Sequence, residues 1–191
     1  MLDIFPITIK AFQKDRMIRV YLPQSYQLGQ KKYSVLYMHD GQNVFRNDEA
    51  IGGISLELEK YLDETELDVI VVAIDQNSDE RKNEYCPWEN GTYSKQFLEA
   101  GTPSFGGHGT KYIEFVAEEL KPHIDKKYRT IENHAAMAGI SMGGLITLYA
   151  ACRYPEVFTD LILFSSAFYA NQEKIEELLK TADLSAIRPY W

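Results

Sequence analysis

A chain of 191 residues is long enough for one domain with a sizeable core and short for two. The formal net charge of -8 excludes the cationic surface that sequence-independent binding to nucleic acid requires. The N-terminus carries an early acid, Asp3, and no basic region before a long apolar core, so it does not resemble a signal peptide. The longest purely apolar run, residues 69–74, is too short to cross a bilayer. We therefore expect a cytoplasmic protein with neither a membrane nor a nucleic-acid partner.

The chain opens with two extended segments, residues 4–12 and 17–22. β-branched and aromatic residues alternate with polar ones in both, which is typical of strands with one face in solvent. These segments predict an antiparallel hairpin. The following tract, residues 23–32, is polar and carries Gly and Pro, so it is predicted to be a turn.

After this turn, short apolar runs alternate with stretches whose apolar residues recur at helical spacing. The predicted strands are residues 35–38, 69–74, 135–140 and 161–164. The predicted helices are residues 54–62, 112–128, 144–153 and 172–180. This alternation predicts a single α/β domain over residues 1–191, with a mostly parallel sheet and helices on both faces. Ligands of such sheets bind beyond the carboxyl ends of the strands.

The long polar segment 75–110 interrupts this pattern. A connection of this length is usually a functional lid or is disordered, and it follows a strand end from which it could overhang the site. Tyr85, Trp88, Tyr93 and Phe105 lie within it. They could stack on a sugar or an aromatic acyl group, with Trp88 as the predicted substrate contact, or they could form a small core of the segment itself.

The run Gly139-Ile140-Ser141-Met142-Gly143 lies between a predicted strand and a predicted helix. Glycines at 139, 143 and 144 allow a sharp turn and close approach of strand and helix. Ser141 at this turn is the predicted nucleophile, and the N–H of Met142 at the helix N-terminus is a predicted oxyanion donor. The alternative is that Ser141 only caps the helix.

The second oxyanion donor is expected from the turn after an earlier strand, residues 39–45. Gly41 can present its N–H there without a side chain in the way, and Gln42 is a predicted substrate contact. His39 and Asp40 are adjacent on an extended segment, so their side chains point to opposite faces and are not expected to share a metal. Both side chains are expected to form hydrogen bonds that stabilise the turn.

Four motifs occur in order between about residues 16 and 168: YSVLYMHDGQNVF, NEYCPW, GTKYIEFVAEELKPHIDKKYRT and AMAGISMGGLITLYAACRYPEVF. Together they resemble the esterase-D-like group of α/β-hydrolases, which includes carbohydrate acetyl and feruloyl esterases, S-formylglutathione hydrolase and siderophore esterases. The resemblance implies a serine carboxylester hydrolase that acts on small-molecule or carbohydrate esters without a metal or organic cofactor. It places the nucleophile at Ser141 and the oxyanion N–H groups at Met142 and Gly41. It does not specify the acyl or alcohol group.

The triad order in this fold is Ser, acid, His. The family pattern continues beyond the strand 161–164 with further strands that carry the acid and the histidine, whereas this sequence has no histidine after His134. We therefore expect an α/β-hydrolase domain without its last strands, in which most of the catalytic rate is lost because Ser141 has no base. His39 or His108 could substitute as base, and Glu173 could act as acid only if a base existed.

Loss of the last strands would leave residues 161–164 as an exposed apolar edge strand, which predicts pairing between two copies of the chain. Three hypotheses follow for the function. The chain is a fragment or shortened form of a serine esterase, or a non-catalytic hydrolase-like module for binding or assembly, or a domain completed in trans by a partner.

Overall fold

A computed structural model describes residues 1–99 and 101–190. Its strands are β1 Leu2–Ile9, β2 Lys14–Tyr21, β3 Tyr33–Met38, β4 Val69–Ile74, β5 Thr130–Ile140, β6 Phe158–Phe164 and β7 Arg188–Tyr190. They form one sheet in the order β1-β2-β4-β3-β5-β6-β7. The pairs β1/β2 and β2/β4 are antiparallel, and the other neighbours are parallel. The predicted mostly parallel sheet with an antiparallel N-terminal hairpin is confirmed.

The α-helices are α1 Leu58–Thr65, α2 Arg81–Glu84, α3 Gly109–Glu114, α4 Lys121–Lys127, α5 Met142–Arg153 and α6 Gln172–Leu179. The predicted helix 54–62 starts late, because Glu57 adopts a left-handed conformation (φ 49°) and ends the irregular segment before α1. Within the described residues, no helix combines the length and apolar composition needed to span a membrane.

The predicted helix 112–128 is present but is not α-helical throughout. A π-helical segment, Phe115–Leu120, joins α3 to α4 without a break. Pro122 lies two residues after the end of this segment, and it has no N–H to donate to the carbonyl of Glu118, four residues earlier. The wider turn accommodates the missing hydrogen bond, which is the usual cause of such local departures.

Helices cover both faces of the sheet. Ile70, Val72 and Ile74 of β4 are fully buried in the larger core cluster, which also contains apolar residues of α3, α4 and α5. Val71 and Ala73 of the same strand are equally buried in a second cluster with α1. A strand buried on both faces is expected to be continuously apolar, as this one is.

The prediction that residues 161–164 form the edge strand is wrong. Strand β7 pairs in parallel with β6 through Asp160, Leu161 and Ile162, and it takes the edge position. A three-residue strand that contains Pro189 has no periodicity to reveal it, and proline is tolerated only at such an edge. Phe164 lies beyond this pairing and is 49% exposed. Association of two copies through this edge stays a prediction.

The long segment 75–110 packs onto the domain where the structure describes it. Tyr85 is fully buried in the larger core cluster, and Phe105 is nearly so. The Asn171 side chain donates to the main-chain carbonyl of Trp88, at 3.0 Å. The described part of the segment is therefore anchored to the core rather than free above the site.

Candidate active site

The turns after β3 and β5 meet at one edge of the sheet. The two strands are parallel neighbours, and Met38 is in register with Ala138. A Cβ built on Gly143 at the start of α5 would lie 3.5 Å from a carboxylate oxygen of Asp40 in the turn after β3. The predicted convergence at the carboxyl ends of the strands is therefore observed.

Ser141 lies between β5 and α5 in a strained conformation, with φ 58° and ψ -120°. A non-glycine residue in such a region costs about 1–3 kcal/mol and persists only where its surroundings hold it. Its N–H donates to the Phe164 carbonyl at 2.9 Å, and its carbonyl accepts from the N–H groups of Ala167 and Gly144, at 2.9 and 3.0 Å. Its side chain makes no capping hydrogen bond to α5, so the observed hydroxyl does not act as the N-cap considered above.

Two of the three glycines in this motif are required by close packing. A Cβ on Gly139 would lie 2.1 Å from main-chain atoms of Gly143, and one on Gly144 would lie 2.1 Å from the hydroxyl of Ser166. At Gly143 the nearest atoms are 3.5 Å away, which is an ordinary contact. Strand and helix therefore approach closely at Gly139, as predicted, whereas Gly143 has room for a methyl group.

Both predicted oxyanion donors have main-chain N–H groups available. Met142 is the first residue of α5, and its N–H meets no acceptor in the described part of the chain. The N–H of Gly41 is likewise without an acceptor among residues 1–99 and 101–190. Gly41 is also required for space, because a Cβ there would lie 2.7 Å from the main-chain nitrogen of Asp75. An N–H at a helix N-terminus, such as that of Met142, stabilises a nearby negative charge.

A cavity of about 460 Å³ lies beside Ser141. Its apolar wall consists mainly of Met38, Val44, Ile51, Ile54, Leu56 and Ile140. Its polar wall includes His39, Asp40, Asn43, Ser55, Gln76 and Arg81. A second depression of about 570 Å³ contains acids, two basic residues and Asn47, but no serine, cysteine or histidine, so the cavity at Ser141 is the candidate for chemistry.

His39 is the one histidine of the four that lines this cavity. Its Nδ1 lies 2.9 Å from the Tyr112 hydroxyl, and its Nε2 is buried without a partner among the described residues. Burial lowers the pKa of His39 to about 4, with smaller and opposed influences from Asp40 and Arg81. A group with this pKa accepts a proton weakly at neutral pH, which disfavours His39 as the general base.

Replacing His39 by glutamine is expected to make stability less dependent on pH. The folded-state pKa of about 4 lies below the ordinary value of 6.5, so the unfolded chain binds more protons between these values. The corresponding stability is complete above pH 6.5 and is lost as pH falls toward 4. Between pH 7 and pH 4.5, urea unfolding should show a loss that is larger by about 2–3 kcal/mol in the native chain than in His39→Gln. Equal losses in both chains would contradict the burial of a neutral imidazole.

The other candidates for base and acid lie elsewhere. His108 lies 3.6 Å from Glu80 and does not line the cavity. His134 contacts Thr159 and Asp160 along β5 and β6. Glu173 accepts a hydrogen bond of 2.8 Å from the N–H of Tyr93, which lowers the pKa of Glu173 and anchors the long segment.

The two predicted substrate contacts have other partners in the structure. The amide of Gln42 is bonded at both ends to the main chain of Gln76: its Nε2 donates at 3.0 Å and its Oε1 accepts at 2.9 Å. Trp88 packs edge-on against Tyr149, with ring centroids 5.3 Å apart, and does not line the cavity. Contact of either residue with a substrate stays a prediction.

His39 and Asp40 contact different partners, although both line the same cavity, because Asp40 adopts a left-handed rather than the expected extended conformation. The Asp40 carboxylate pairs with Arg81, whose guanidinium donates to both oxygens at 2.6 and 2.8 Å. Within residues 1–99 and 101–190, no group of three or more His, Cys, Asp or Glu side chains is arranged to hold a metal. Arg81 is not among the site residues predicted from the sequence, although the NEYCPW motif begins two residues after it.

The strand order and the strained turn at Ser141 define an α/β-hydrolase-like domain. The IroE-like serine hydrolase from Shewanella oneidensis superposes with a TM-score of 0.77 at 20% identity, over 94% of this chain and 55% of that one. The siderophore hydrolase EstA from Aspergillus nidulans superposes with a TM-score of 0.74 at 21% identity, over 94% of this chain and 62% of that one. At these identities the likeness is one of fold.

The sequence comparison identifies the family. The family model described as "Putative esterase" matches residues 9–186, and the chain belongs to this family. The uncharacterized protein YbbA of Bacillus subtilis (strain 168) is 26% identical over 177 residues, which are 92% of this chain and 64% of YbbA. The chain therefore spans less than two thirds of the length of this relative.

Proposed function

We propose that this chain carries the nucleophile and the oxyanion hole of a serine carboxylester hydrolase. The observation that carries the proposal is the strained conformation of Ser141 beside the N–H of Met142 at the start of α5, which has no acceptor among residues 1–99 and 101–190. A serine in this type of turn is exposed above the sheet, and the amide that follows it donates to the oxyanion. Family membership supports an ester as the substrate.

The proposed reaction is attack of the Ser141 Oγ on the carbonyl carbon of an ester. The negative charge that develops on the carbonyl oxygen is stabilised by the N–H groups of Met142 and Gly41. The alcohol then leaves with a proton, and water hydrolyses the acyl group from Ser141. The apolar wall of the adjacent cavity suits the acyl part of a small ester.

The proposed reaction also needs a base that takes the proton of Ser141. His39 has an unsuitable pKa, and His108 lies outside the cavity. In the order Ser, acid, His, the base follows the strand after the nucleophile, and no histidine of residues 1–191 follows His134. Without this base, the oxyanion hole and substrate binding alone are expected to leave an acceleration of about 10³–10⁴ over water.

Labelling with a fluorophosphonate, followed by peptide mass spectrometry, tests the nucleophile. We expect the modification at Ser141, slowly in residues 1–191 alone, and no modification in Ser141→Ala. Ser55 lines the same cavity, so Ser55→Ala is the matched control and should keep the labelling of the native chain. Modification at another residue would contradict the assignment, and inertness of Ser141 would favour a non-catalytic binding or assembly module.

A further inference from the structure

The turn that contains Gly41 depends on an unusual conformation at the residue before it. Asp40 adopts a left-handed conformation, with φ 58° and ψ 46°. This region is uncommon for residues other than glycine, although aspartate tolerates it better than most. The direction of the Gly41 N–H depends on this residue, because the peptide between them carries that N–H.

Arg81 of α2 holds the side chain of Asp40. The two donor–acceptor distances are 2.6 and 2.8 Å, and the pair is largely buried, with 26% of the Arg81 side chain and 14% of the Asp40 side chain exposed. A planar guanidinium that binds both oxygens of a carboxylate fixes orientation as well as distance.

Tyr85 holds the main chain of the same residue. Its buried hydroxyl accepts a hydrogen bond of 3.0 Å from the N–H of Asp40, and its ring lies 4.9 Å from the guanidinium carbon of Arg81. The neighbouring Tyr112 contacts the side chain of His39, as described above. The two residues before Gly41 are therefore held through main chain and side chain.

The segment that provides Arg81 and Tyr85 is itself fixed to the sheet. Glu84, between them in sequence, forms a buried bidentate pair with Arg16 of β2, with both distances at 2.8 Å. Arg16 also donates to the Asp75 carbonyl at 3.1 Å. The contacts to Asp40 therefore come from a rigid support.

We propose that Arg81 and Tyr85 are positioning residues that hold the turn at Asp40 so that the Gly41 N–H is directed at the oxyanion. This inference rests on the proposed function, because Gly41 acts as a donor only in that reaction. Oxyanion donors are effective because they are oriented before the reaction, and a misplacement of about 1 Å can cost about 10²-fold in rate. In this proposal Arg81, which lines the cavity, acts through Asp40 and not on the reacting atoms.

Hydrogen exchange tests the positioning without reference to catalysis. The N–H of Asp40 is bonded to Tyr85, and the N–H of Asn43 is bonded to the Asp40 carbonyl at 2.8 Å. In Arg81→Gln, both amides are expected to exchange at least about tenfold faster than in the native chain, measured relative to the slowest core amides. Arg81→Lys keeps the charge without the planar fork and should restore part of this protection.

Arg129→Gln is the matched control, because Arg129 is half-buried and bonds to main-chain carbonyls at the opposite end of β5. It should leave the exchange of the Asp40 and Asn43 amides unchanged. Unchanged exchange in Arg81→Gln, or equally fast exchange in Arg129→Gln, would overturn the proposal.

Kinetics with p-nitrophenyl acetate give the second measurement. Arg81→Gln is expected to lower kcat about 10–100-fold with a smaller change in KM, because the oxyanion contact forms in the transition state. Arg81→Lys should recover part of kcat, and Arg129→Gln should keep the native value. If Arg81→Gln raises the exchange rates of the Asp40 and Asn43 amides but keeps the native kcat, the positioning role is overturned. If a fluorophosphonate modifies a residue other than Ser141, the proposed function fails, while the exchange result still decides whether Arg81 orders the turn.

Discussion

Replacing Gly139 by alanine is expected to lower the free energy of unfolding by more than about 3 kcal/mol. The added Cβ would lie 2.1 Å from the main-chain carbon and oxygen of Gly143 and 2.7 Å from the nitrogen of Gly144. These are backbone atoms at the start of α5, so they cannot rotate away, and the first turn of the helix must shift. Overpacking of a close-packed core usually costs about 1–3 kcal/mol, and a clash with main chain belongs to the severe cases.

Gly143→Ala is the matched control within the same motif. Its Cβ would meet only ordinary contacts at 3.5 Å, and alanine favours a helix over glycine by about 1 kcal/mol. Urea unfolding followed by circular dichroism should therefore show a native or slightly raised stability for this variant. A native midpoint for Gly139→Ala would contradict the close approach of β5 and α5.

Replacing Glu84 by glutamine is expected to lower the free energy of unfolding by about 3–5 kcal/mol. Glu84 and Arg16 have side chains that are 2% and 4% exposed, and they form two hydrogen bonds of 2.8 Å. Neutralising one partner leaves the other charge buried without compensation, which is far more costly than the net worth of the pair. The measurement is urea unfolding at neutral pH.

Two further variants test whether the loss of stability in Glu84→Gln comes from the unpaired charge of Arg16. The double variant Arg16→Met with Glu84→Leu removes both charges and should recover much of the loss, because apolar replacements of a buried pair are often neutral. Glu177→Gln removes one partner of an exposed pair with Lys174 and should leave stability unchanged. A native stability for Glu84→Gln would show that the Arg16 charge reaches solvent.

These predictions concern contacts near two strained turns, one at Ser141 and one at Asp40. Ser141 and Asp40 both adopt positive φ, and they lie at the ends of neighbouring strands. Ser141 is held because its N–H donates to the Phe164 carbonyl and its carbonyl accepts from the N–H of Ala167. Asp40 is held because its carboxylate accepts two hydrogen bonds from the Arg81 guanidinium. Strain of this kind is stable only where the surroundings over-determine the geometry.

The sequence by itself determined which segments form strands β1 to β6 and that Ser141 lies at a turn between a strand and a helix. The apolar run 69–74 predicted β4 at its observed bounds, because a strand buried on both faces must be apolar at every position. The glycines around Ser141 predicted a turn between strand and helix, because the local spacing of glycines reflects local crowding.

Only the tertiary structure decided which groups surround this turn. Arg81 lies 41 residues from Asp40 in the chain, and Gln42 turns its amide to Gln76, so neither partner follows from local spacing. Strand β7 has only three residues, and it forms by pairing in parallel with Asp160, Leu161 and Ile162 of β6. Periodicity reports which face of an element is buried, whereas the partners of a polar group depend on contacts between distant residues.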